Sequence, residues 1–193
     1  MTARTHDLGA ITALGVVTLV VPLQSITLST ALIALLANQL GGIAPDIDQP
    51  TAPFWHNLPS GSFFGRIVDK FLGGHRFLSH SLLGIALFGV LSNLLLNFLH
   101  PIMTNVDISL VWYAFLIGLV SHLVMDTFTK EGVPWLLPFP IKIGLPPLKR
   151  FRITTGKHVE TLLVFPALLV LDVWLCTSHY SQITLFIHQH LLH

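Results

Sequence analysis

One of the most apolar stretches of the sequence ends in a histidine and an aspartate four residues apart. His122 is the one easily ionised side chain of residues 108–125, and Asp126 follows directly. Side chains four residues apart share one face of a helix, where an imidazole and a carboxylate can ligate the same metal ion. Ionisable groups near hydrocarbon are costly and usually functional or paired. The pair therefore predicts a metal site or a catalytic site.

Other histidines and carboxylates lie close to the ends of the remaining apolar segments. They are His6, Asp46, Asp48, His75, His80 and Glu160. Such nitrogen and oxygen ligands suit zinc, with manganese or iron as alternatives, and the lack of cysteine ligands argues against a purely structural zinc site. We predict a divalent metal, most simply zinc, held by His6, Asp46, His80, His122 and Asp126.

Arg76 is the predicted anion-binding residue of this cluster. If residues 75–80 are helical, Arg76 and His80 share one face, while His75 lies with Ser79 on another. Arginine binds phosphate through paired hydrogen bonds, so an arginine beside a metal cluster favours a phosphoester or pyrophosphate substrate. Arg76 and His75 are therefore candidate catalytic residues.

Asp48 and Glu160 are the candidates for moving protons. In a turn, Asp46 and Asp48 can converge, and one of them can instead orient a histidine. His158 and Glu160 are about 200° apart around a helix, so they cannot both face the site. We favour Glu160, as a ligand or general base. Asp7 is predicted to N-cap the first helix.

Five apolar segments must position these side chains: residues 8–21, 26–44, 82–99, 108–125 and 162–176. Each is roughly long enough to cross or enter a bilayer core, which needs about 20 residues, although the first and last are short. Of the 193 residues 52% are hydrophobic and 10% charged, and the mean hydropathy is +0.73. This composition predicts an all-α, polytopic membrane bundle of about five helices, forming a single domain over residues 1–193.

The basic residues predict the orientation of the bundle. If the first segment starts in the cytoplasm and all five segments cross, all 10 Lys and Arg residues fall on the cytoplasmic side. The positive-inside rule then places the N-terminus and the metal site at the cytoplasmic face of the membrane. A net charge of +1 with scattered basic residues predicts no nucleic-acid partner.

Aromatic and basic residues of the two long loops predict contact with the membrane surface. Trp55, Phe63 and Phe64 lie in the first loop, and Lys149 and Arg150 lie in the second. Basic residues near the surface attract anionic headgroups. A lipid phosphate or polyprenyl phosphate can then reach the cluster laterally from the bilayer, although a simple interfacial anchor explains these residues equally well.

Taken together, the motifs resemble the YdjM family. The residues that carry the resemblance are His6, residues 42–48 (GIAPDID), residues 75–81 (HRFLSHS), residues 121–127 (SHLVMDT) and Gly132. The likeness runs from His6 to about Glu160. Members of that family are described as metal-dependent hydrolases of the inner membrane and are also labelled LexA-regulated. The resemblance implies the same broad activity and location here.

His122 and Asp126 are also similar to the H-x-x-x-D element of zinc-dependent phospholipase C and P1 nuclease, helical enzymes with clustered zinc ions. That resemblance implies phosphoester hydrolysis by metal-activated water. The second helical element of the phospholipase, H-x-x-x-E, is absent, since His158 and Glu160 have a different spacing. A complete trinuclear site is therefore not expected.

These observations lead to one prediction and two alternatives. The prediction is a membrane-bound metal-dependent hydrolase acting on a phosphoester or pyrophosphate of a lipid-like substrate. A transporter or ion pathway using the same His and Asp residues is the first alternative, and a water path open from both sides would favour it. The second is a non-catalytic membrane adaptor, which has no need for so many convergent polar residues.

Overall fold

The computed structural model describes residues 1–20, 26–74, 76–139 and 141–191, and this part of the chain is built from helices. The α-helices are α1 (Ala3–Val20), α2 (Leu28–Ile43), α3 (Pro53–His56), α4 (Gly61–Phe71), α5 (Leu82–Leu99), α6 (Ile108–Thr127), α7 (Phe165–Ser178) and α8 (Tyr180–Leu191). A 3₁₀ helix, Ala44–Asp48, continues α2. A π-helix, Glu160–Val164, leads into α7. The predicted all-α membrane fold is confirmed.

Four segments of the described chain are long and apolar enough to cross a membrane: Leu28–Asp48, Leu82–Ile102, Ile108–Thr127 and Glu160–Ser178. They coincide with the second to fifth predicted segments. The first predicted segment lies in α1, which begins at Ala3 and so carries Arg4, His6 and Asp7 in its first turns. These charged and polar residues lower the average hydropathy of α1, and within the described residues the candidate spans are four rather than the five predicted.

The tightest pair in the bundle is α2 and α6. A Cβ atom on Gly41 would overlap the carbonyl oxygen of Phe115, and one on Gly118 would overlap that of Asn38. Small residues allow this approach between membrane helices, whose association depends on close packing rather than on the hydrophobic effect. The Asn38 amide nitrogen also donates to the Ala114 carbonyl across the interface, at 3.1 Å.

The other helices surround this pair. Helix α1 packs against α2, α6 and α7, and α5 packs against α6. The beginnings of α1, α5 and the π-helix lie at the end of the bundle where α2 and α6 finish, since His6 contacts Asp126 and His80 faces Asp46 there. Glu160, at the start of the π-helix, accepts a hydrogen bond from the Thr2 amide directly before α1, so five helix ends lie at one end of the bundle.

The sequence analysis considered a helix over residues 75–80. The described part of this segment, which precedes α5, is not helical. Residues 76–81 form turns, and α5 begins only at Leu82, where the Ser81 hydroxyl accepts a hydrogen bond from the Gly84 amide at 3.1 Å. Arg76 has a left-handed backbone with φ of 60°. Arg76 and His80 are thus placed by a tight turn and not by helical spacing.

The first long loop contains one amphipathic helix and one buried tryptophan. Phe63, Phe64 and Phe71 of α4 are exposed, which fits the predicted contact with the membrane surface. Trp55 differs from that expectation because it is only 7% exposed. Its indole nitrogen donates to the Ile47 carbonyl at 3.0 Å, so Trp55 instead holds the 3₁₀ helix that carries Asp46 and Asp48.

Candidate metal centre

The five predicted metal ligands lie together at one end of the bundle. Their ligand atoms form two overlapping groups, each with all atoms within 4.8 Å of one another: His6, His122 and Asp126 in one, and Asp46, His80 and His122 in the other. All except Asp46 are buried; the Asp46 side chain is 23% exposed. No other part of the described chain contains such a group.

Each of two histidine nitrogens lies at a ligand-like distance from two carboxylates. His80 Nε2 lies 3.7 Å from both Asp46 Oδ1 and Asp126 Oδ2. His122 Nε2 lies 3.6 Å from Asp46 Oδ1 and 3.9 Å from Asp126 Oδ2. Zinc held tetrahedrally at about 2.0–2.2 Å has ligand atoms roughly 3.3–3.6 Å apart. Each of the four distances is within a few tenths of an ångström of that range.

The tautomer of His122 follows from its other ring nitrogen. His122 Nδ1 lies 2.6 Å from the Gly42 carbonyl oxygen. A carbonyl only accepts hydrogen bonds, so Nδ1 carries the proton and the lone pair is on Nε2. Nε2 is buried and has no hydrogen-bond partner among the described residues. A buried polar atom left in this way calls for an explanation, and an ion or a water molecule supplies one.

His6 contacts one carboxylate oxygen of Asp126, and His80 faces the other. Its ring stacks on His122 with centroids 3.7 Å apart, and its Nε2 lies 3.2 Å from Asp126 Oδ1. The Met1 amino group also contacts Asp126 and lies 2.9 Å from His6 Nε2. Burial lowers the pKa of His6 by more than the hydrogen bond to Asp126 raises it, which favours a neutral imidazole. His122 has one available nitrogen, so the two groups of ligands cannot each use it for an ion of their own.

Arg76 binds Asp126 rather than pointing freely into the site. Its Nη2 lies 2.5 Å from Asp126 Oδ2, while Nη1 lies 3.2 Å from Thr129 Oγ1 and 3.5 Å from Glu131 Oε2. Its backbone amide donates to Asp48 Oδ2 at 3.0 Å. These contacts stabilise the left-handed backbone conformation of Arg76, which residues other than glycine seldom adopt. Arg76 Nε is buried and has no hydrogen-bond partner in the described part of the chain, which leaves one donor for another group.

Asp48 lies beside the Nδ1 atom of His80, the ring nitrogen that does not face the cluster. The buried Asp48 Oδ2 accepts hydrogen bonds from the Arg76 amide and the Ser79 hydroxyl, and lies 3.7 Å from His80 Nδ1. Ser79 Oγ is 2.9 Å from the same His80 nitrogen. This arrangement matches the expectation that one of the two aspartates orients a histidine. Ser79 lies in the HRFLSHS motif, but the sequence analysis predicted no functional role for it.

The centre is reached through a pocket of about 280 Å³. The residues that line it include His6, Asp7, Gly42, Asp46, Phe54 and Asn57. The predicted N-cap role of Asp7 is wrong: α1 begins at Ala3, so Asp7 is in the second turn and its side chain lines the pocket. Burial raises the pKa of Asp7. Of the five candidate ligands, His6 and Asp46 line this pocket, and Asp46 is the more exposed.

Glu160 is buried outside the cluster. One carboxylate oxygen accepts hydrogen bonds from the Thr2 amide at 2.6 Å and the Thr5 hydroxyl at 2.7 Å, and the other accepts from the Gly156 amide at 2.7 Å. Glu160 thus binds the N-terminal segment directly before His6. This position differs from the expectation that Glu160 is a metal ligand or a general base. His158 is exposed, which agrees with the expectation that His158 and Glu160 do not both face the site. The candidate catalytic residue His75 lies outside the described residues.

Comparison with known proteins agrees with this arrangement of motifs. No solved structure matches the chain. The uncharacterized protein YvsG of Bacillus subtilis (strain 168) is 23% identical over 164 residues, which cover 85% of this chain and 88% of that protein. The profile of the YdjM inner membrane protein family matches residues 1–188. The chain therefore belongs to the YdjM inner membrane protein family.

Proposed function

We propose that the protein is a membrane-bound metal-dependent hydrolase. The observation that supports this most directly is the distance of 3.6–3.9 Å from each of two imidazole nitrogens, His80 Nε2 and His122 Nε2, to a carboxylate oxygen of Asp46 and of Asp126. Two imidazoles and two carboxylates form a donor set that suits zinc, and also manganese or iron. The buried His122 Nε2, which faces the carboxylates, fits the same interpretation.

Asp46, His80, His122 and Asp126 would hold a divalent ion, which would supply Lewis-acid activation of water and of a substrate oxygen. In the proposed reaction water attacks phosphorus, the phosphoester P–O bond breaks, and the alcohol leaves with a proton. The available Nε–H of Arg76 can donate to a phosphoryl oxygen, since its two Nη atoms already contact protein groups. The substrate is a phosphoester or pyrophosphate of a lipid-like molecule.

The remaining polar residues position the ligands. Gly42 orients His122, whereas Asp48 and Ser79 orient His80. Such partners commonly change metal affinity by about 10- to 100-fold when they are removed. In this proposal Asp48 holds His80 in place, and Glu160 holds the segment before His6, so both act as positioning residues.

We place the centre at the cytoplasmic face of the inner membrane. All 10 Lys and Arg residues lie in the N-terminal region or in the two long loops. In the structure these regions join the helices at the end of the bundle where the cluster lies. The positive-inside rule therefore supports a cytoplasmic cluster.

Metal analysis of the purified protein tests this proposal. We expect bound zinc, manganese or iron in the wild-type protein, and its loss in both His122→Ala and Asp126→Asn, with unchanged helix content by circular dichroism. His100→Ala is the matched control, because His100 is an exposed histidine at the opposite end of α5. Hydrolysis of p-nitrophenyl phosphate is measured on the same samples. Full metal retention in both site variants would refute the proposal.

A further inference from the structure

A second and larger cavity runs along the apolar part of the bundle. It has a volume of about 1010 Å³ and lies between α1, α2 and α6, with Leu168 of α7 at its side. On α6 the lining extends from Leu110 to Met125, which is about 22 Å at 1.5 Å per helical residue. The groove therefore follows most of a hydrocarbon core that is about 30 Å thick.

Three polar residues that line this groove, Thr12, Thr18 and Ser121, form hydrogen bonds within their own helices. The Thr12 hydroxyl donates to the Leu8 carbonyl at 2.9 Å. The Thr18 and Ser121 hydroxyls each donate at 2.7 Å to a carbonyl three residues earlier. Such internal hydrogen bonds leave methyl and methylene groups facing the cavity. An occupant of the groove thus meets hydrocarbon, and a polar molecule would lose its hydrogen bonds to water without replacement.

Small residues keep the groove open. Ala13 of α1 and Ala31 and Ala34 of α2 line the cavity. Elsewhere in the same bundle, Gly41 and Gly118 bring two helix backbones into contact. Small residues in membrane helices commonly serve such close packing. In the groove they border the cavity instead, so they leave space between the helices for an occupant.

One end of the groove lies next to the candidate metal centre. Gly9 and Met125 line this end; Gly9 is three residues after His6, and Met125 directly precedes Asp126. A Cβ atom on Gly9 would overlap the Met125 sulfur, so the two residues are in direct contact. Methionine is flexible and adapts to irregular neighbours. The groove and the cluster are thus separated by about one helical turn.

We propose that the groove binds the hydrocarbon chain of an amphiphilic substrate whose phosphate group is presented to the metal centre. This inference rests on the proposed function, because it assigns the substrate class of the same site. A saturated or prenyl chain of up to about 22 Å fits along α6. The occupant is a single-chain or prenyl phosphate rather than a water-soluble phosphoester.

Photolabelling tests the groove without requiring turnover. The probe is hexadecyl phosphate with a diazirine in the distal half of its chain, added to the full-length protein in nanodiscs. We expect labelled peptides from α1 and α6. In Ala34→Phe this labelling falls by about fivefold or more, because the phenyl ring occupies the space of the chain. Ala86→Phe is the matched control, since Ala86 lies on the exposed face of α5.

The outcomes separate the groove from the hydrolase proposal. Labelling that is as strong on α5 as on α1 and α6, or that is unchanged in Ala34→Phe, overturns the groove. Labelling that depends on Ala34 in a protein without bound metal or activity overturns only the hydrolase proposal. Ala13→Leu narrows the groove from α1 and provides a milder second variant. If the protein is active, both variants lose hydrolysis of hexadecyl phosphate and keep hydrolysis of p-nitrophenyl phosphate.

Discussion

His122 Nδ1 and the Gly42 carbonyl oxygen lie 2.6 Å apart, so a candidate metal ligand on α6 is oriented by the backbone of α2. This contact exists because Gly41 and Gly118 allow the two helices to touch. Helix packing and the direction of a ligand lone pair are therefore linked in this protein. A change in the distance between the helices is expected to change metal binding.

Gly118→Ala tests that link. The added methyl group would overlap the Asn38 carbonyl oxygen, so the helices must separate and His122 loses its partner on Gly42. We expect overpacking to cost about 1–3 kcal/mol of stability, and metal affinity to fall by about 10- to 100-fold. Thermal unfolding and metal titration provide the two measurements. Gly89→Ala is the control, because there the nearest atom is the flexible end of Leu116, at 3.3 Å. Equal metal affinity in the two variants would contradict the link.

Two replacements of Arg76 distinguish the contribution of its backbone conformation from that of its side chain. Arg76→Ala and Arg76→Gly both remove the guanidinium that contacts Asp126, but only glycine is relaxed at a φ of 60°. We therefore expect Arg76→Gly to be more stable than Arg76→Ala by about 1 kcal/mol. Both variants are expected to bind metal more weakly than wild type because Asp126 loses its partner. If thermal unfolding gives the same stability for both, the left-handed backbone of residue 76 carries no cost.

Ser79→Ala tests the support of His80. The variant removes the hydroxyl that lies 2.9 Å from His80 Nδ1 and that also donates to Asp48. We expect metal affinity to decrease by about tenfold or more, with little change in helix content. Ser62→Ala, on the exposed surface of α4, is the matched control. An unchanged zinc dissociation constant in Ser79→Ala would show that His80 does not need this partner.

Glu160→Gln distinguishes a positioning residue from a general base. If Glu160 holds the N-terminal segment, its replacement weakens the hydrogen bonds to Thr2 and Thr5, and Thr5→Val has a similar effect. We expect each variant to lose about 1–3 kcal/mol of stability and to show faster hydrogen exchange in residues 2–6. A general base would behave differently: Glu160→Gln would lose kcat with normal exchange, and Thr5→Val would stay active.

Much of the fold could be predicted from the sequence because hydropathy and motif position are local properties. Four apolar segments correspond to the four candidate spans, and the metal-ligand candidates lie where helices begin or end. Once helices alternate in direction across a bilayer, such ends must meet at one face. This is why His6, Asp46, His80, His122 and Asp126 could be named before their distances were known.

Only the tertiary structure decided which groups the residues around the candidate ligands contact. Glu160 accepts hydrogen bonds from Thr2, 158 residues earlier in the chain, and a contact this distant leaves no periodic pattern in the sequence. Arg76 reaches Asp126 from a left-handed turn that helical spacing does not describe. The sequence by itself therefore determined the membrane helices and the candidate ligands at their ends. Only the packed structure decided which partner orients each ligand, because those partners come from turns and backbone carbonyls of other helices.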